Sequence, residues 1–490
     1  MVYKKLAGQT IVYGMGTIVP RILNYIILTY YYTRLFRPEN FGILTELYAY
    51  VTFLLIILTY GTETGYFRFA NEDKGDRVYS SLIICLFCTS LLFIAGVVLF
   101  QKGIAKALSY EGQEIYIVIM GIIVGIDAFT TIPFARLRKE EKSRKFALIK
   151  IINVVVTIGS VLFFYEVVPR IGDSIKIIHF SVRRDDVVYV FISNLIASGT
   201  VLLLLTKEIF SIRLIMDKAV LKKVLEFSFP LLVAGLAGTI NEALDRVLLK
   251  HMIPDKGEAL YILGIYGANY RVAMLLSIFV QMFRYAVEPF YFNYYGKSDE
   301  KEVFARIMRL FIGVMIVLTM IVLFYLHYIK YFIDTEYHKG LNVVPVVLCA
   351  FIFYGIFYNQ SIWYKLTKKT GYAILLTLSG ASITIIANVF FVQRFSYMAA
   401  AYGHFFAYFV MMVLSYFIGR KYYKIDYNLP RILEYILIAL AIFVVRDKIF
   451  SKVSLLRDLL TGGVIVMYGI YIMYREELFR NKINRIWKLK

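Results

Sequence analysis

The chain has 490 residues, 60% of them hydrophobic, and a mean hydropathy of +0.67. Soluble domains are usually about 45–50% apolar, so this composition excludes an ordinary soluble protein. The formal net charge of +21 would suggest a nucleic-acid partner in a soluble protein. Here the basic residues lie in short connections between apolar runs, where they set the orientation of a membrane protein.

Apolar segments, most of them about 20 residues long, recur from one end of the chain to the other. Backbone groups in lipid must be hydrogen-bonded within the protein, and these segments lack the alternation of barrel strands, so we expect helices. We predict an all-α integral membrane protein with about fourteen transmembrane helices. The expected spans are 8–32, 41–66, 80–100, 115–135, 146–168, 187–205, 224–249, 260–285, 305–326, 343–364, 373–392, 399–418, 432–445 and 459–474.

Positive charge is distributed unevenly among the connections. Nearly twice as many Lys and Arg residues fall in one set of alternate connections as in the other, with the densest runs at 136–145, 207–223 and 475–490. The loop 169–186 is an exception with four basic residues. The positive-inside rule then places both termini in the cytoplasm. The basic start, Met1–Lys5, lacks a small-residue cleavage site, so we interpret span 1 as permanent rather than as a removable signal.

Span 1 contains a polar group next to a helix breaker. Pro20 removes a backbone hydrogen bond and kinks the helix, so Gly16 and Pro20 are the expected hinge. Arg21 and Asn24 are three residues apart and share a helical face. A bent helix that presents a cation to the protein interior suits an anionic ligand, and a structural ion pair is the alternative.

Spans 2 and 3 carry the next polar residues. Glu46 and Glu63 in span 2 could neutralise Arg21, bind a coupling cation such as H⁺ or Na⁺, or lie at an interface. Cys85 and Cys88 form a C-x-x-C pattern inside the apolar span 3, where cysteines behave as small hydrophobic residues, so we expect no redox or metal site.

Spans 4 and 7 contain further acids. Asp127 in span 4 is a weaker candidate than the residues of span 1. Glu242 and Arg246 in span 7 have the i, i+4 spacing of a local ion pair, and Asp245 lies between them. Packing between parts of the protein and contact with a ligand are both open roles for this group.

Span 8 holds two arginines on different faces. Arg271 lies well inside the span, which makes it a candidate ligand contact. Arg284 shares a face with Gln281 and Glu288, closer to the end predicted to be cytoplasmic, where it could instead extend to the interface. In span 10, Asn359 and Gln360 are weaker candidates.

Signatures of enzymes are missing from the sequence. There is no H-E-x-x-H or G-x-S-x-G motif, and Gly296-Lys297-Ser298 lacks the first glycine of a P-loop because position 291 is Tyr. No loop is long enough for a nucleotide-binding or sugar-transfer domain. We therefore expect a protein that is not an enzyme and has no cofactor or metal site.

A weak internal echo links the two halves of the chain. Gly16-Thr17-Ile18 resembles Gly238-Thr239-Ile240, and each is followed some 25 residues later by Gly-Ile, at Gly42-Ile43 and Gly264-Ile265. Chance could produce this pattern, and two related lobes would produce it as well.

The order of several short motifs resembles one known family. The motifs are Pro20-Arg21-Ile22-Leu23-Asn24-Tyr25, Tyr32-Thr33-Arg34-Leu35-Phe36, Pro38-Glu39-Asn40-Phe41-Gly42, Tyr60-Gly61-Thr62-Glu63-Thr64, Asp245-Arg246, Gly264-Ile265-Tyr266-Gly267-Ala268-Asn269-Tyr270 and Phe283-Arg284-Tyr285. In this order, over nearly the whole chain, the sequence resembles the polysaccharide flippases (Wzx-type) of the multidrug/oligosaccharidyl-lipid/polysaccharide exporter superfamily.

The resemblance implies two six-helix lobes around a central cavity, here 1–223 and 224–431, followed by two additional helices and a basic tail in 432–490. It implies export of a polyprenyl-pyrophosphate-linked oligosaccharide across a bacterial inner membrane, with arginines of spans 1 and 8, here Arg21 and Arg271, facing the cavity. A drug exporter of the same superfamily is an alternative, but its cavity would favour acids. A glycan polymerase or ligase is a third candidate, although it should have a larger outer loop.

Overall fold

The fold was described from a computed structural model, which covers residues 2–70, 75–172, 185–211, 215–449 and 455–476. All regular secondary structure in these ranges is helical, which confirms the all-α membrane fold. Each of the fourteen expected spans lies on helical residues, with span 2 divided between two helices, and ten helices of the described ranges are long and apolar enough to cross a membrane. The full count of fourteen crossings stays a prediction. Most of loop 169–186 and of the tail 475–490 lies outside the described residues.

The first of two compact units comprises Met1–Ala268 and Asn388–Ala400. A π-helical turn, Phe163–Val167, joins the helices Ser143–Leu162 and Val168–Gly172. Its helices are α1 (Val2–Leu35), α2 (Pro38–Thr59), α3 (Thr62–Phe69), α4 (Gly75–Leu99), α5 (Gln101–Leu108), α6 (Glu114–Lys139), α7 (Ser143–Leu162), α8 (Val168–Gly172), α9 (Val188–Leu204), α10 (Thr206–Phe210) and α11 (Lys218–Met252).

The second unit comprises Asn269–Ala387 and Ala401–Lys490, and α12 (Lys256–Tyr294) begins before its boundary. The lobe boundaries expected at 223 and 431 stay predictions. The helices that follow α12 are α13 (Glu300–Phe324), α14 (Leu326–Ile329), α15 (Val343–Gln360), α16 (Ile362–Leu366), α17 (Gly371–Phe395), α18 (Tyr397–Tyr422), α19 (Leu429–Ile449) and α20 (Leu455–Arg475), with 3₁₀ turns at Lys330–Phe332 and Thr335–Gly340.

Helix α6 is the centre of the first unit. It packs against α2, α4 and α9, and its apolar side chains fill the space between them. Leu82 and Leu86 of α4 meet Ile132 and Ala135 of α6 in one cluster, and all four side chains are fully buried. A polar residue on the packed side of α6 is therefore surrounded by protein.

Span 2 is interrupted in the structure rather than continuous over 41–66. Helix α2 ends at Thr59, and Tyr60 and Gly61 both have left-handed backbone angles, with φ of 54° and 66°. Helix α3 then continues from Thr62. A non-glycine residue in this conformation is strained, so the break is held by the surrounding packing rather than by local preference.

Two glycines let α2 and the start of α12 cross at close range. A Cβ atom on Gly42 would overlap the backbone carbonyl of Leu260, and one on Gly264 would overlap the carbonyl of Pro38. The contact is reciprocal, because each glycine faces the residue four positions before the other. These are the two glycines of the internal echo, so the echoed positions meet in the folded chain.

The last two helices are attached to α13 at one end and to α14 at the other. Arg309 of α13 binds both carboxylate oxygens of Glu476 at 2.8 Å, and the hydroxyl of Tyr435 in α19 donates to the same carboxylate at 2.8 Å. At the other end, Tyr328 donates to Asp458 of α20 at 2.8 Å. Helices α13, α19 and α20 thus form one packed group within the second unit.

Candidate functional site

The candidate site is a narrow cleft in the second unit between α12, α15 and α16, with a cavity volume of about 10 Å³. Arg284 and Glu288 lie one turn apart on α12 and therefore project from the same face. Lys365 enters the cleft from α16, and Tyr358 and Asn359 enter it near the end of α15. The remaining lining is mostly apolar and includes Val280, Phe283, Val287 and Ile362.

The cleft contains more positive than negative charge. Lys365 Nζ donates to Glu288 Oε1 at 2.8 Å, so these two charges compensate each other. The Arg284 guanidinium lies over the ring of Tyr358, 4.9 Å from its centre. In the part of the chain that the structure describes, no carboxylate lies within 4.0 Å of this guanidinium. Arg284 is thus available to an anionic ligand.

A buried amide adds a second donor to the cleft. Asn359 is 4% exposed, and its Oδ1 accepts from the hydroxyl of Tyr291 at 2.7 Å. Its Nδ2 is buried and has no acceptor among the described residues. Buried polar atoms are nearly always hydrogen-bonded, so this amide is the kind of donor that a ligand oxygen would satisfy.

The other predicted arginines lie elsewhere. Arg21 is exposed on α1, beside the buried Pro20, and Asn24 is half-buried one turn further along. Arg21 belongs to the first unit and Arg271 to the second. Arg271 is half-buried on α12, about 20 Å along the helix axis from Arg284. Joint action of Arg21 and Arg271 stays a prediction, as does the hinge at Gly16 and Pro20 in α1.

Glu46 lies at the centre of a buried polar cluster in the first unit. Its carboxylate is fully buried and accepts from Lys250 Nζ at 2.7 Å and from the hydroxyl of Tyr110. Lys250 also donates to the carbonyl of Leu108 at 2.7 Å. Burial, together with the neighbouring Glu46, raises the pKa of Tyr110 well above its ordinary value, so this phenol remains a donor at physiological pH.

Two of the remaining acids of the prediction, Glu63 and Asp245, have partners of their own. Glu63 forms an ion pair with Arg138 of α6. Asp245 is fully buried, and Tyr266 donates to its Oδ2 at 2.6 Å. Glu242 and Arg246 are both half-buried on α11. Glu46 and Glu63 therefore lie at helix interfaces, which is one of the roles the sequence left open for them.

Sequence reasoning missed the partners more often than the acids. Lys250, Tyr110 and Lys365 complete polar clusters, yet none was singled out as a candidate. Lys250 and Lys365 lie close to predicted span ends, where a lysine is usually interpreted as interfacial. Their partners are 204 and 77 residues away, so no local spacing points to them.

A second cavity, in the first unit, is almost entirely apolar. Its volume is about 420 Å³. Apart from the Tyr50 hydroxyl, its lining offers no polar side chain, so it does not suit a phosphate or a sugar. The lining residues are Leu47, Tyr50, Val51, Phe53, Leu54, Phe93, Val97, Ile104, Leu108, Ile117, Met120, Gly121, Leu244 and Val247.

Comparisons with known proteins identify a sequence family and a fold. A family model described as "Polysaccharide biosynthesis protein" matches residues 6–294, well over half of the chain. Comparison with curated proteins finds no match.

Solved structures with the same fold include transporters of two kinds. The lipid II flippase MurJ, in an inward closed conformation, is 15% identical with a TM-score of 0.68, and the match covers 96% of this chain and 99% of that one. An inward-facing multidrug resistance MATE family transporter of the MOP superfamily is 12% identical with a TM-score of 0.63, covering 85% and 96%. At these identities the likeness concerns the fold alone.

Proposed function

The chain belongs to the polysaccharide biosynthesis protein family, and on that premise we propose that it is a flippase. Its cargo is a polyprenyl-pyrophosphate-linked oligosaccharide, which it moves from the cytoplasmic to the outer leaflet by alternating access. The setting is the bacterial inner membrane, and the product is a surface polysaccharide of the O-antigen or capsule type. The process needs no chemical step on the sugar.

The physical problem for such a cargo is its head group. A pyrophosphate and sugar hydroxyls that entered hydrocarbon alone would lose their hydrogen bonds to water. A transporter must replace those bonds within the membrane. Arginine is well suited to the phosphates, because its planar guanidinium can donate two parallel hydrogen bonds to one phosphate group.

The observation that carries the proposal is the cleft around Arg284. It offers a guanidinium without a carboxylate partner among the described residues and the buried, unsatisfied Nδ2 of Asn359. The ring of Tyr358 beside them provides an aromatic face for a sugar. We assign Arg284 to the pyrophosphate, and Asn359 to a phosphate or sugar oxygen.

Other polar residues have supporting roles in this proposal. Arg21, Asn24 and Arg271 contact the head group at another stage of the transport cycle, and Gly16 and Pro20 allow α1 to bend between states. Glu46, Glu63, Glu242, Asp245 and Arg246 hold the helices together through ion pairs or take part in coupling to H⁺ or Na⁺.

A cation-coupled exporter of drugs is the second candidate, and the fold it shares with a MATE transporter supports it. A cationic drug would be attracted by acids without partners. In the cleft around Arg284, the carboxylate of Glu288 is already bound by Lys365. This arrangement favours the anionic cargo.

The test uses alanine and lysine variants in cells that lack their own flippase. Arg284→Ala should abolish the restored surface polysaccharide, while Arg284→Lys should retain part of it, because lysine keeps the charge but loses the two-pronged geometry. The same pair of changes at Arg21 and at Arg271 should behave alike. Protein abundance in the membrane is measured in parallel.

The matched control is Arg420→Ala, which removes an exposed arginine that also lies near a tyrosine ring, 5.6 Å from the centre of Tyr416. It should leave export unchanged. Normal abundance together with normal export for Arg284→Ala, Arg21→Ala and Arg271→Ala would contradict the proposal. Drug resistance conferred by the wild-type chain, without restored polysaccharide, would favour the exporter.

A further inference from the structure

A file of polar side chains runs through the apolar interior of the first unit, between α2, α6, α7 and α9. Midway along α2 and in the first half of α9, Asn194 Nδ2 donates to the hydroxyl of Tyr48 at 2.6 Å. Ser198 follows one turn later on the same face of α9 and donates to Asp127 Oδ1 at 2.8 Å. Asp127 thus accepts a hydrogen bond from a hydroxyl in the interior of the first unit.

The file of polar side chains continues from Asp127 toward the end of α6 at Lys139. The opposite charges of Asp127 and of Lys150 in α7 attract each other, whereas the like charge of Arg138 acts on Lys150 by repulsion. Arg138 forms an ion pair with Glu63, the second residue of α3. Polar or charged groups therefore succeed one another along most of the length of α6.

Asp127 occupies the middle of this file and the middle of a membrane span. It is the fourteenth of the 26 residues of α6, which is one of the helices apolar enough to cross a membrane. Acids at this depth are costly and typically serve ion or proton pathways. The flanking residues Ile123, Val124 and Ala128 are buried and apolar. These neighbours on α6 give no structural reason for an acid at position 127.

The charges of Asp127 and Lys150 face each other without forming a closed ion pair. Among the described residues, the Lys150 ammonium has no carboxylate within 4.0 Å and lies 4.0 Å from the centre of the Phe134 ring. In the described ranges, the hydroxyl of Ser198 is the one side-chain donor to the carboxylate of Asp127. A closed ion pair would hold the carboxylate in its charged form, whereas this open arrangement lets it change state.

We propose that Asp127 is a protonation site in the membrane interior and that its proton load drives the conformational cycle of the transporter. One proton binds to a carboxylate oxygen of Asp127 and later leaves from it, so no other reactant is consumed. Protonation leaves the positive charge of Lys150 without a counterion, which changes the electrostatic balance between α6 and α7. The charged group facing Asp127 is Lys150 from α7, while α9 contributes the neutral Ser198 and α2 the neutral Tyr48.

This inference rests on the proposed transport function, and its test separates the two. Purified full-length protein in liposomes carries a fluorescent label on a single cysteine introduced in place of Glu111, an exposed residue in the turn before α6, with the three native cysteines changed to serine. Fluorescence is recorded between pH 5 and pH 8 without any substrate. Wild-type protein should show a pH-dependent transition, and Asp127→Asn should lose it.

Asparagine keeps an acceptor for Ser198 but cannot be ionised, so the change removes titration with little change in shape. Asp76→Asn, at an exposed acid in the first turn of α4, is the matched control and should retain the transition. Arg284→Ala should also retain it while export is lost, because that arginine binds cargo. A failure of the proposed cargo would therefore leave the pH response intact.

A second variant covers the case in which Asp127→Asn does not accumulate in the membrane. Ser198→Ala removes the hydrogen bond to Asp127 and should displace the midpoint of the transition. The proposal is overturned if wild-type protein shows no transition, if Asp127→Asn keeps it unchanged, or if Ser198→Ala leaves its midpoint in place.

Discussion

At the scale of single residues, the described intramembrane charges include closed ion pairs and charges that have no oppositely charged group within ion-pair distance. Glu46 and Lys250 are almost completely buried and bind each other directly, whereas Arg284 has an aromatic neighbour and no carboxylate partner among the described residues. Closed pairs hold helices together, and open charges can bind a ligand or a proton. This difference separates structural residues from candidate functional ones.

The first prediction concerns the closed pair. Lys250→Met should destabilise the protein by about 3–5 kcal/mol, because the buried carboxylate of Glu46 would lose its partner. Adding Glu46→Gln should recover much of this loss, since the double variant leaves no charge unpaired. The measurement is the thermal unfolding temperature of the detergent-purified protein.

Lys256→Met is the control for this pair, because Lys256 is exposed and lies only six residues away. It should leave the unfolding temperature unchanged. Equal temperatures for Lys250→Met and the control would contradict the role given to the cluster. Normal stability with lost export in Lys250→Met would instead assign Lys250 to transport.

The sequence identified several of these residues but not their partners. The cost of burying a charge in a membrane is a local property, so Glu46, Asp127 and Arg284 could be found from their position in apolar runs. The pairing of Glu46 with Lys250 depends on how α2 and α11 pack. Without that packing, three roles for Glu46 remained open, and the structure places it at an interface.

At the scale of helices, the crossing of α2 and α12 is the tightest contact with a clear sequence signature. Gly42 and Gly264 each meet a backbone carbonyl of the other helix. A helix interior normally disfavours glycine by about 1 kcal/mol relative to alanine, so both glycines are explained by close approach. Small residues of this kind are typical of helix contacts in membranes.

We therefore predict that Gly264→Ala destabilises the crossing, by about 1–3 kcal/mol if the helices move apart to accept the methyl group. Gly42→Ala should have a similar effect, because the contact is reciprocal. The control is Gly238→Ala in α11, where a Cβ would meet no atom within 4 Å. This control should be neutral or slightly stabilising.

Thermal unfolding of the three purified variants provides the measurement. Export in cells is recorded alongside it, since a crossing that must separate during transport would affect activity as well as stability. An unfolding temperature for Gly264→Ala equal to that of Gly238→Ala would show that the close approach is not needed for the fold.

Helix ends were harder to predict than helix positions. All fourteen expected spans lie on helical residues because a long apolar run is a strong local signal. The sequence did not predict the break at Tyr60 and Gly61, because the break lies inside an apolar run that is long enough for one continuous span. The break depends on packing against α11, where Gly61 lies close to Ser228. Short helices such as α5 and α10 were likewise read as connections.

At the scale of the whole molecule, the family resemblance predicted from short motifs is confirmed. The motifs Pro38–Gly42 and Gly264–Tyr270 both lie within the range that the family model matches. In the structure Gly42 and Gly264 of these segments meet at the α2–α12 crossing, which explains why glycine occurs in both motifs. The identity of the sugar and the energy source are not encoded in such packing motifs, so they belong to the proposals above.

The orientation of the chain is the last prediction, and it follows from the connection between α6 and α7. This connection and its flanks hold six basic residues between 136 and 145, against the two acids Glu140 and Glu141. Glu140 accepts from Arg136 at 2.6 Å and pairs with Lys142 at 2.7 Å. The remaining positive charge should keep this end of both helices in the cytoplasm.

A reporter protein fused after Lys145 should therefore be cytoplasmic, and one fused after Ile175 should be external. A fusion after Gly112, at the opposite end of α6, is the internal control and should also be external. If the fusions after Lys145 and Ile175 report the same side, α7 does not cross the membrane. If all three fusions report the reverse of the expected sides, both termini are external. The file of polar side chains through α6 would then be inverted with the chain, so Asp127 would take its proton from the opposite side of the membrane.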